Sequence, residues 1–418
     1  MCRGRTYAGF VALAFLASFI AETSTTAAAY GGDFIGATQL IVRLDPSVVT
    51  VEDVNSAAGT STADVSNGVD GLYLLDIPAG ADPVATGTAI ETTKGVTWVN
   101  TNAEVTPPEV DLSRIYAWRI YAWNNESPVP SVSQYAATAV NQVAAQQLST
   151  GRGVVVAVLD TGVQLDPGPH RSLAESLDPG VDFVDDDGVP GDTRNGVDDD
   201  GDGLVDEGAG HGTHVAGIVH QAAPDARIMP VRILDDDGTG TMWAAAQGML
   251  WAAEHGAKVI NMSLGTHGSA SVLRDVVRTV TAAGVVVVAA AGNDGKDRPM
   301  YPAATPEAIA VGSVGAGDLV STFSNFGRWV DVVAPGEDIH SSYAFPADNY
   351  AASSGTSMAT PWVAGEAALL ISRNPTLSPR AVSAAITLGA LSIDVLNPLR
   401  IGLLGGGRID MAASLRLV

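Results

Sequence analysis

At 418 residues, with 46% hydrophobic residues and 46 glycines, the chain is long enough for one large buried core and a smaller unit beside it. Its 46 acidic against 22 basic residues leave a formal charge of -24, which argues against nucleic acid or anionic membrane as partners and suits a soluble protein able to hold hard cations. The only cysteine is Cys2, so the mature chain is expected to have neither disulfides nor thiolate metal sites.

Arg3 and Arg5 precede an apolar run from Ala8 to Ala21 and a polar stretch ending Ala27-Ala28-Ala29. That order is a signal peptide over residues 1–29 with an Ala-x-Ala cleavage site. The run is short for a bilayer span, so we expect a secreted protein with no stable membrane association after signal cleavage. Within residues 30–109 the pattern is strand (39–44), polar segment, strand (69–77), helix (82–93) and strand (96–99), a small α+β unit. Pro107-Pro108 breaks the chain, and residues 110–134 read as a linker. It holds Ile-Tyr-Ala-Trp twice, at 115–118 and 120–123, which fits an arm anchored by aromatics, and an Asn125-Glu126-Ser127 sequon.

From 135 to 418 the style changes. Apolar strands at 154–159, 228–234, 258–261, 285–290, 309–314 and 330–333 alternate with helices near 137–148, 213–220, 242–255 and 271–283. This predicts an α/β fold: a doubly wound, mostly parallel sheet covered by helices on both faces. Ligands of such sheets bind beyond the strand C-termini.

Three blocks fall at such positions. Asp160-Thr161-Gly162 ends a buried strand, although strand-end aspartates often only cap turns. His211-Gly212-Thr213-His214-Val215-Ala216-Gly217 opens a helix; zinc is disfavoured because no glutamate follows in the metalloprotease pattern. Gly355-Thr356-Ser357-Met358-Ala359-Thr360-Pro361 puts Ser357 in a first helical turn, where free backbone N–H groups cluster and could stabilise an oxyanion. The bland alternative is a helix cap.

Between the first two blocks, residues 182–207 form an insertion dense in Asp and Gly. Asp198, Asp200 and Asp202 take positions 1, 3 and 5 of a loop with Gly203 at 6 and Asp206 at 9, a spacing that wraps oxygens around Ca2+. Position 12 is Ala209, so the loop is not an EF-hand. We take Asp198, Asp200, Asp202, Asp206 and Glu207 as candidate ligands, against the rival of a solvated acidic loop whose like charges would repel. Asp185-Asp186-Asp187 and Asp235-Asp236-Asp237 read as turns. No organic cofactor is expected.

The three blocks, in the order Asp, His, Ser, resemble the active-site signatures of the subtilisin-like serine proteases (subtilases), over roughly residues 135–415. That resemblance implies a serine endopeptidase acting on polypeptides through an acyl-enzyme. Ser357 would be the nucleophile, His211 the general base, Asp160 its orienter and Asn293, in Ala290-Ala291-Gly292-Asn293, the side-chain donor of the oxyanion hole. Ser263-Leu264-Gly265 and Gly238-Thr239-Gly240 resemble the family's two substrate-pairing edges. Ala290, Ala291, Gly292 and Leu264 would wall the primary pocket and Met300 would floor it, favouring small or medium apolar side chains. His214 is given a structural role. The unit at 30–109 resembles the family's prodomain, an intramolecular chaperone and inhibitor whose last strand lies in the cleft. His220-Gln221-Ala222-Ala223-Pro224 runs almost directly into the next strand, where the family usually has a calcium loop, so calcium is expected in the 182–207 insertion. Gly405-Gly406-Gly407-Arg408-Ile409-Asp410 resembles the family's domain end. We expect a monomer. A narrow-specificity processing protease and a catalytically silent binding scaffold are the rivals; an esterase is disfavoured because no Gly-x-Ser-x-Gly elbow surrounds Ser357.

Overall fold

The computed structural model describes residues 37–108, 119–121, 134–268 and 270–418. The expected signal peptide over 1–29 and most of the 110–134 linker, expected to contain or lie near the processing point, fall outside the described residues, as do the sequon and all of the repeat but Ile120 and Tyr121. Among those described, no helix is long and apolar enough to cross a membrane.

The main sheet has seven strands, all parallel. Its first strand in sequence, Val155–Asp160, is the pivot. Arg227–Arg232 and then Val181–Asp182 lie on one side; Val259–Met262, Val286–Ala290, Ala308–Val314 and Val332–Pro335 follow on the other. The order of winding therefore reverses beside Val155–Asp160, and a crevice opens beyond its C-terminal end. Successive residues of this strand serve opposite faces. Val156 and Val158 belong to one apolar core, Ala157 and Leu159 to the other. The first core takes in the helices His211–Ala222, Thr356–Arg373 and Pro379–Gly389; the second takes in Met242–Glu254 and Ser271–Ala282. A strand buried on both faces cannot alternate apolar with polar, which is why these segments read as unbroken Val/Ile/Ala runs.

The expected doubly wound α/β architecture is thus present, with local differences. The helix read at 137–148 is two short ones, Tyr135–Ala139 and Gln142–Gln146, separated at Asn141, whose φ of 55° lies in the left-handed region. The antiparallel pair Ile339–Tyr343 and Asn349–Ser353 was not expected, because its Ser, Ala and Asn content carries little strand signal.

The small unit is a four-stranded antiparallel sheet in the order Ser61–Val65, Leu72–Asp76, Gln39–Leu44, Val96–Thr101. The segment read as polar in fact holds the helix Val51–Ala58, started by a capping box of Thr50 and Asp53, and the outermost strand. The unit docks on the ends of two helices of the main domain. Ser271–Ala282 starts after Ala270, which offers no capping side chain, and Asn100 Oδ1 accepts from the Val272 N–H at 3.1 Å in its place. Asn102 Oδ1 accepts from Trp243 N at 3.0 Å, while the indole N–H groups of Trp98 and Trp243 donate to Asp275 and Asp64 at 2.8 and 2.9 Å.

One buried group in the main core is out of keeping with its surroundings. Glu366, midway along Thr356–Arg373, is fully buried. Burial pushes its carboxyl up to about 8, and the Ser414 hydroxyl only partly offsets this. In the folded chain Glu366 is therefore neutral where the unfolded chain would ionise it. The stability this supplies is complete below the unfolded value of 4.5 and is lost as pH rises through about 8. Glu366→Gln cannot ionise, so its melting temperature should exceed that of the parent by an amount that grows between pH 5 and pH 9, reaching about 3 °C or more. A constant difference across that range, read by calorimetry, would show that Glu366 does not titrate as described.

Candidate active site

Asp160, at the end of the pivot strand, is fully buried, and its Oδ1 accepts from the Thr161 N–H at 2.9 Å and from His211 Nδ1 at 2.7 Å. His211 is the first residue of His211–Ala222. Bringing a helix start this close to a strand end demands glycine at two places. A Cβ on Gly212 would lie 2.1 Å from the Gly162 carbonyl oxygen, and one on Gly210, at φ 93°, would lie 2.3 Å from the Tyr343 ring. His214 points elsewhere: its Nε2–H is shared between the carbonyls of Ile339 and Ala351 at 3.0 and 3.1 Å, and burial pushes its pKa down to about 3. It is a neutral structural group, though it ties the helix to the strands Ile339–Tyr343 and Asn349–Ser353 and does not act within its own helix.

Ser357 is the second residue of Thr356–Arg373, after Gly355. Pro361 lies four residues on and has no N–H, so the Ser357 carbonyl loses its normal helical partner. Ser263 replaces it. The Ser263 hydroxyl donates to the Ser357 carbonyl at 2.9 Å, and the Ser357 hydroxyl donates to the Ser263 carbonyl at 3.0 Å. Asn293 is held by its oxygen, which accepts from the N–H and the hydroxyl of Thr356 at 3.0 and 2.9 Å. Since a backbone N–H can only donate, the amide orientation is fixed, and the Asn293 NH2 group faces away from Thr356.

Two segments of the main domain pair with the end of the small unit. Gly240–Thr241 pairs antiparallel with Glu104–Val105, and Gly265 exchanges two backbone bonds with Thr106 at 3.0 and 3.2 Å. The end of the small unit is thus threaded between both edges. Of the residues expected on the first edge, Gly240 pairs, whereas Gly238 and Thr239 fold back on Asp235 as a turn. Leu264, Ala290 and Ala291 are fully buried. Met300, 5% exposed, sits between Gly265 and Gly292: a Cβ on either glycine would come within 2.8 and 2.9 Å of its side chain. Asn325, which the sequence did not single out, ties this wall together. It accepts from Lys296 N at 3.2 Å and donates to the Ala291 carbonyl at 3.0 Å and to Asp294 at 3.1 Å.

In the acidic insertion, Asp198, Asp200 and Asp202 bring carboxylate oxygens within 4.8 Å of one another. Asp206 and Glu207 do not join them. Asp206 Oδ1 is turned to the N–H groups of Asn195 and Gly196 at 3.0 and 3.1 Å, and the buried Glu207 carboxyl is pushed up to about 7 by desolvation and by Asp237, Asp202 and Asp200. The Asp235-Asp236-Asp237 stretch is more than a turn. Asp237 accepts from the backbone N–H groups of Asp199 and Asp206, and Asp236 bonds the buried Arg232 at 3.1 Å. The sequence also gave no weight to Asp192, whose carboxylate reaches the start of the His211 helix at Gly210 N, 2.8 Å away, and Thr213 Oγ1, 2.6 Å away.

Comparison with known proteins follows the same lines. Residues 151–401 match the Subtilase family. The chain is 42% identical over 261 residues to thermitase of Thermoactinomyces vulgaris, covering 60% of this chain and 86% of that protein. It is 34% identical over 328 residues to the alkaline protease of Alkalihalobacillus alcalophilus, covering 75% and 79%. Among solved structures, a protease of Pseudoalteromonas arctica matches with a TM-score of 0.60 at 31% identity, over 70% of this chain and 98% of that one. Fervidolysin of Fervidobacterium pennivorans shares the fold with a TM-score of 0.72 at 23% identity, over 91% and 61%. A strand-end aspartate bonded to a helix-start histidine, a serine in the first turn of a long buried helix, and these matches agree: the chain belongs to the subtilase family and is a serine-type endopeptidase.

Proposed function

We propose that the enzyme hydrolyses polypeptides with Ser357 as nucleophile, His211 as general base and Asp160 as its orienter, and that it is made as a secreted, self-processing proenzyme. The observation that carries this reading is the 2.7 Å bond from His211 Nδ1 to the buried Asp160. With Nδ1 donating, a neutral imidazole has its lone pair on Nε2, the nitrogen that takes the serine proton. The Ser357 oxygen attacks the substrate carbonyl, and the resulting oxyanion is met by the Ser357 N–H and the Asn293 NH2. The imidazolium, steadied by Asp160, then protonates the leaving amine. Water repeats the sequence on the acyl-enzyme. Ser357→Ala should abolish fluorophosphonate labelling and leave the full chain at its uncleaved mass. Asn293→Ala should lower kcat with little change in KM, by about 2.7–4 kcal/mol, the magnitude seen for the oxyanion asparagine of subtilisin itself. Normal maturation of the Ser357→Ala chain would mean that another protease makes the cut.

The small unit is read as a prodomain that inhibits in place. Its residues Glu104–Thr106 lie between Gly240–Thr241 and Gly265 as an extended peptide would, bonded through backbone alone. Main-chain pairing makes few demands on sequence, so preference falls to the pocket. Met300, wedged between Gly265 and Gly292, is read as the floor that would keep this pocket shallow. Peptides with Ala or Val at the cleaved position should be cut at least about fivefold faster than those with Phe, since one or more excess methylenes in an apolar pocket is worth about 1–3 kcal/mol. Equal rates in a library profile would discard this.

For calcium, Asp198, Asp200 and Asp202 offer hard oxygen donors at a workable spacing, and Glu207 and Asp237 add negative charge nearby. The donor set suits Ca2+, which would neutralise and stiffen the insertion. Chelation should lower the melting temperature of the parent chain, and should have no effect on an Asp198/Asp200/Asp202→Ala variant. An equal drop in both would place the ion elsewhere.

A further inference from the structure

We propose that Asp192 is a positioning residue for His211, acting as a helix cap delivered from the acidic insertion; the proposal rests on the reading of His211 as the base. The helix His211–Ala222 has Gly210 at its N-cap, with no capping side chain of its own. Nothing larger fits there, because of the Tyr343 ring. A helix start with free N–H groups needs an acceptor from elsewhere.

Asp192, 6% exposed, provides it. Its Oδ1 accepts from the Gly210 N–H at 2.8 Å, and its Oδ2 accepts from the Thr213 hydroxyl at 2.6 Å and the Thr213 N–H at 3.3 Å. The same carboxylate reaches the other half of the site. Thr161, directly after Asp160, donates its hydroxyl to Asp192 Oδ1 at 3.3 Å and accepts from Gly212 N at 3.0 Å. The Asp192 backbone N–H in turn donates to the Val163 carbonyl at 2.8 Å. One carboxylate therefore references both the turn that follows Asp160 and the helix that begins with His211. Without it, the two could drift apart by fractions of an ångström, which the His211–Asp160 bond would register directly. The insertion holding Asp192 is itself fastened: the Thr193 hydroxyl donates to Asp236 at 2.7 Å, and Arg232 bonds both Asp236 and Asp182.

The test uses the full chain carrying Asp192→Ala, Asp192→Asn or His211→Ala, each variant matured by added tagged parent enzyme that is then removed. Melting temperature, kcat and KM on a peptide substrate are measured, with active sites counted by fluorophosphonate titration. For Asp192→Ala we expect kcat per titrated site to fall about 10- to 100-fold with KM within about twofold. Asp192→Asn should lie between that and the parent, because its amide oxygen can still accept while its NH2 cannot. Parental kcat per titrated site in both Asp192 variants, even with a lowered melting temperature, would make Asp192 a purely structural residue and overturn the proposal. If the alanine variant does not fold, the asparagine variant decides by the same criterion. His211→Ala separates the two readings: turnover surviving in that variant would refute the role of His211 whatever Asp192 does.

Discussion

An imidazole can take a proton only at a nitrogen that does not already carry one, and in this fold a single buried hydrogen bond decides which nitrogen that is. The bond from His211 Nδ1 to Asp160 joins a strand end to a helix start 51 residues further along the chain. A carboxylate so buried is costly unless it has donors, and Asp160 has two on one oxygen, the Thr161 N–H and the imidazole. The winding reversal at Val155–Asp160 is what leaves room for that helix start. The close approach of Gly212 to Gly162 is what lets the helix use it.

The serine side of the site is built from a local defect. Pro361 in the second turn of a long helix would ordinarily weaken it, because a carbonyl is left without its partner. Here that carbonyl belongs to Ser357, and the Ser263 hydroxyl satisfies it while the Ser263 carbonyl takes the Ser357 hydroxyl. The exchange pins Ser357, the proposed nucleophile, to the very segment, Ser263 to Gly265, that pairs with extended chain at Thr106. A proline that looks like a helix breaker thus registers Ser357 against the segment that pairs with Thr106.

The acidic insertion shows how a charge run can be more than a solvated loop. Its carboxylates divide by environment. Asp182, with Asp236 from outside the insertion, surrounds the buried Arg232; Asp198, Asp200 and Asp202 stand together at the exposed tip, and Asp237, also from outside, holds the loop backbone at Asp199 and Asp206. Buried Asp192 is pushed up to about 7 by desolvation, against the pull of its own hydrogen bonds. The segment dense in acidic residues is therefore also tied to the start of the helix His211–Ala222.

Local pattern revealed the main sheet but not every element: the capping box of Thr50 and Asp53 that starts Val51–Ala58 is a short-range signal that the polar reading passed over. Unbroken Val/Ile/Ala strands between helices imply a two-faced parallel sheet, and the Asp160, His211 and Ser357 blocks stand at strand ends and helix starts because their short-range signals, Gly turns and apolar runs, are written within a few residues. Asn293 and Met300 entered through the family resemblance and not through local pattern. Tertiary structure alone decided that Gly240 and not Gly238 pairs with the chain, that Asp206 and Glu207 stand apart from the other three carboxylates, and that Asp192 and Asn325 bind the site together. The pairing of Gly240 and the contacts of Asp192 and Asn325 are hydrogen bonds between residues far apart in sequence. Side-chain type and periodicity record which face a residue occupies, but a polar group's partner is set by where separate elements come to rest, and no local pattern contains that.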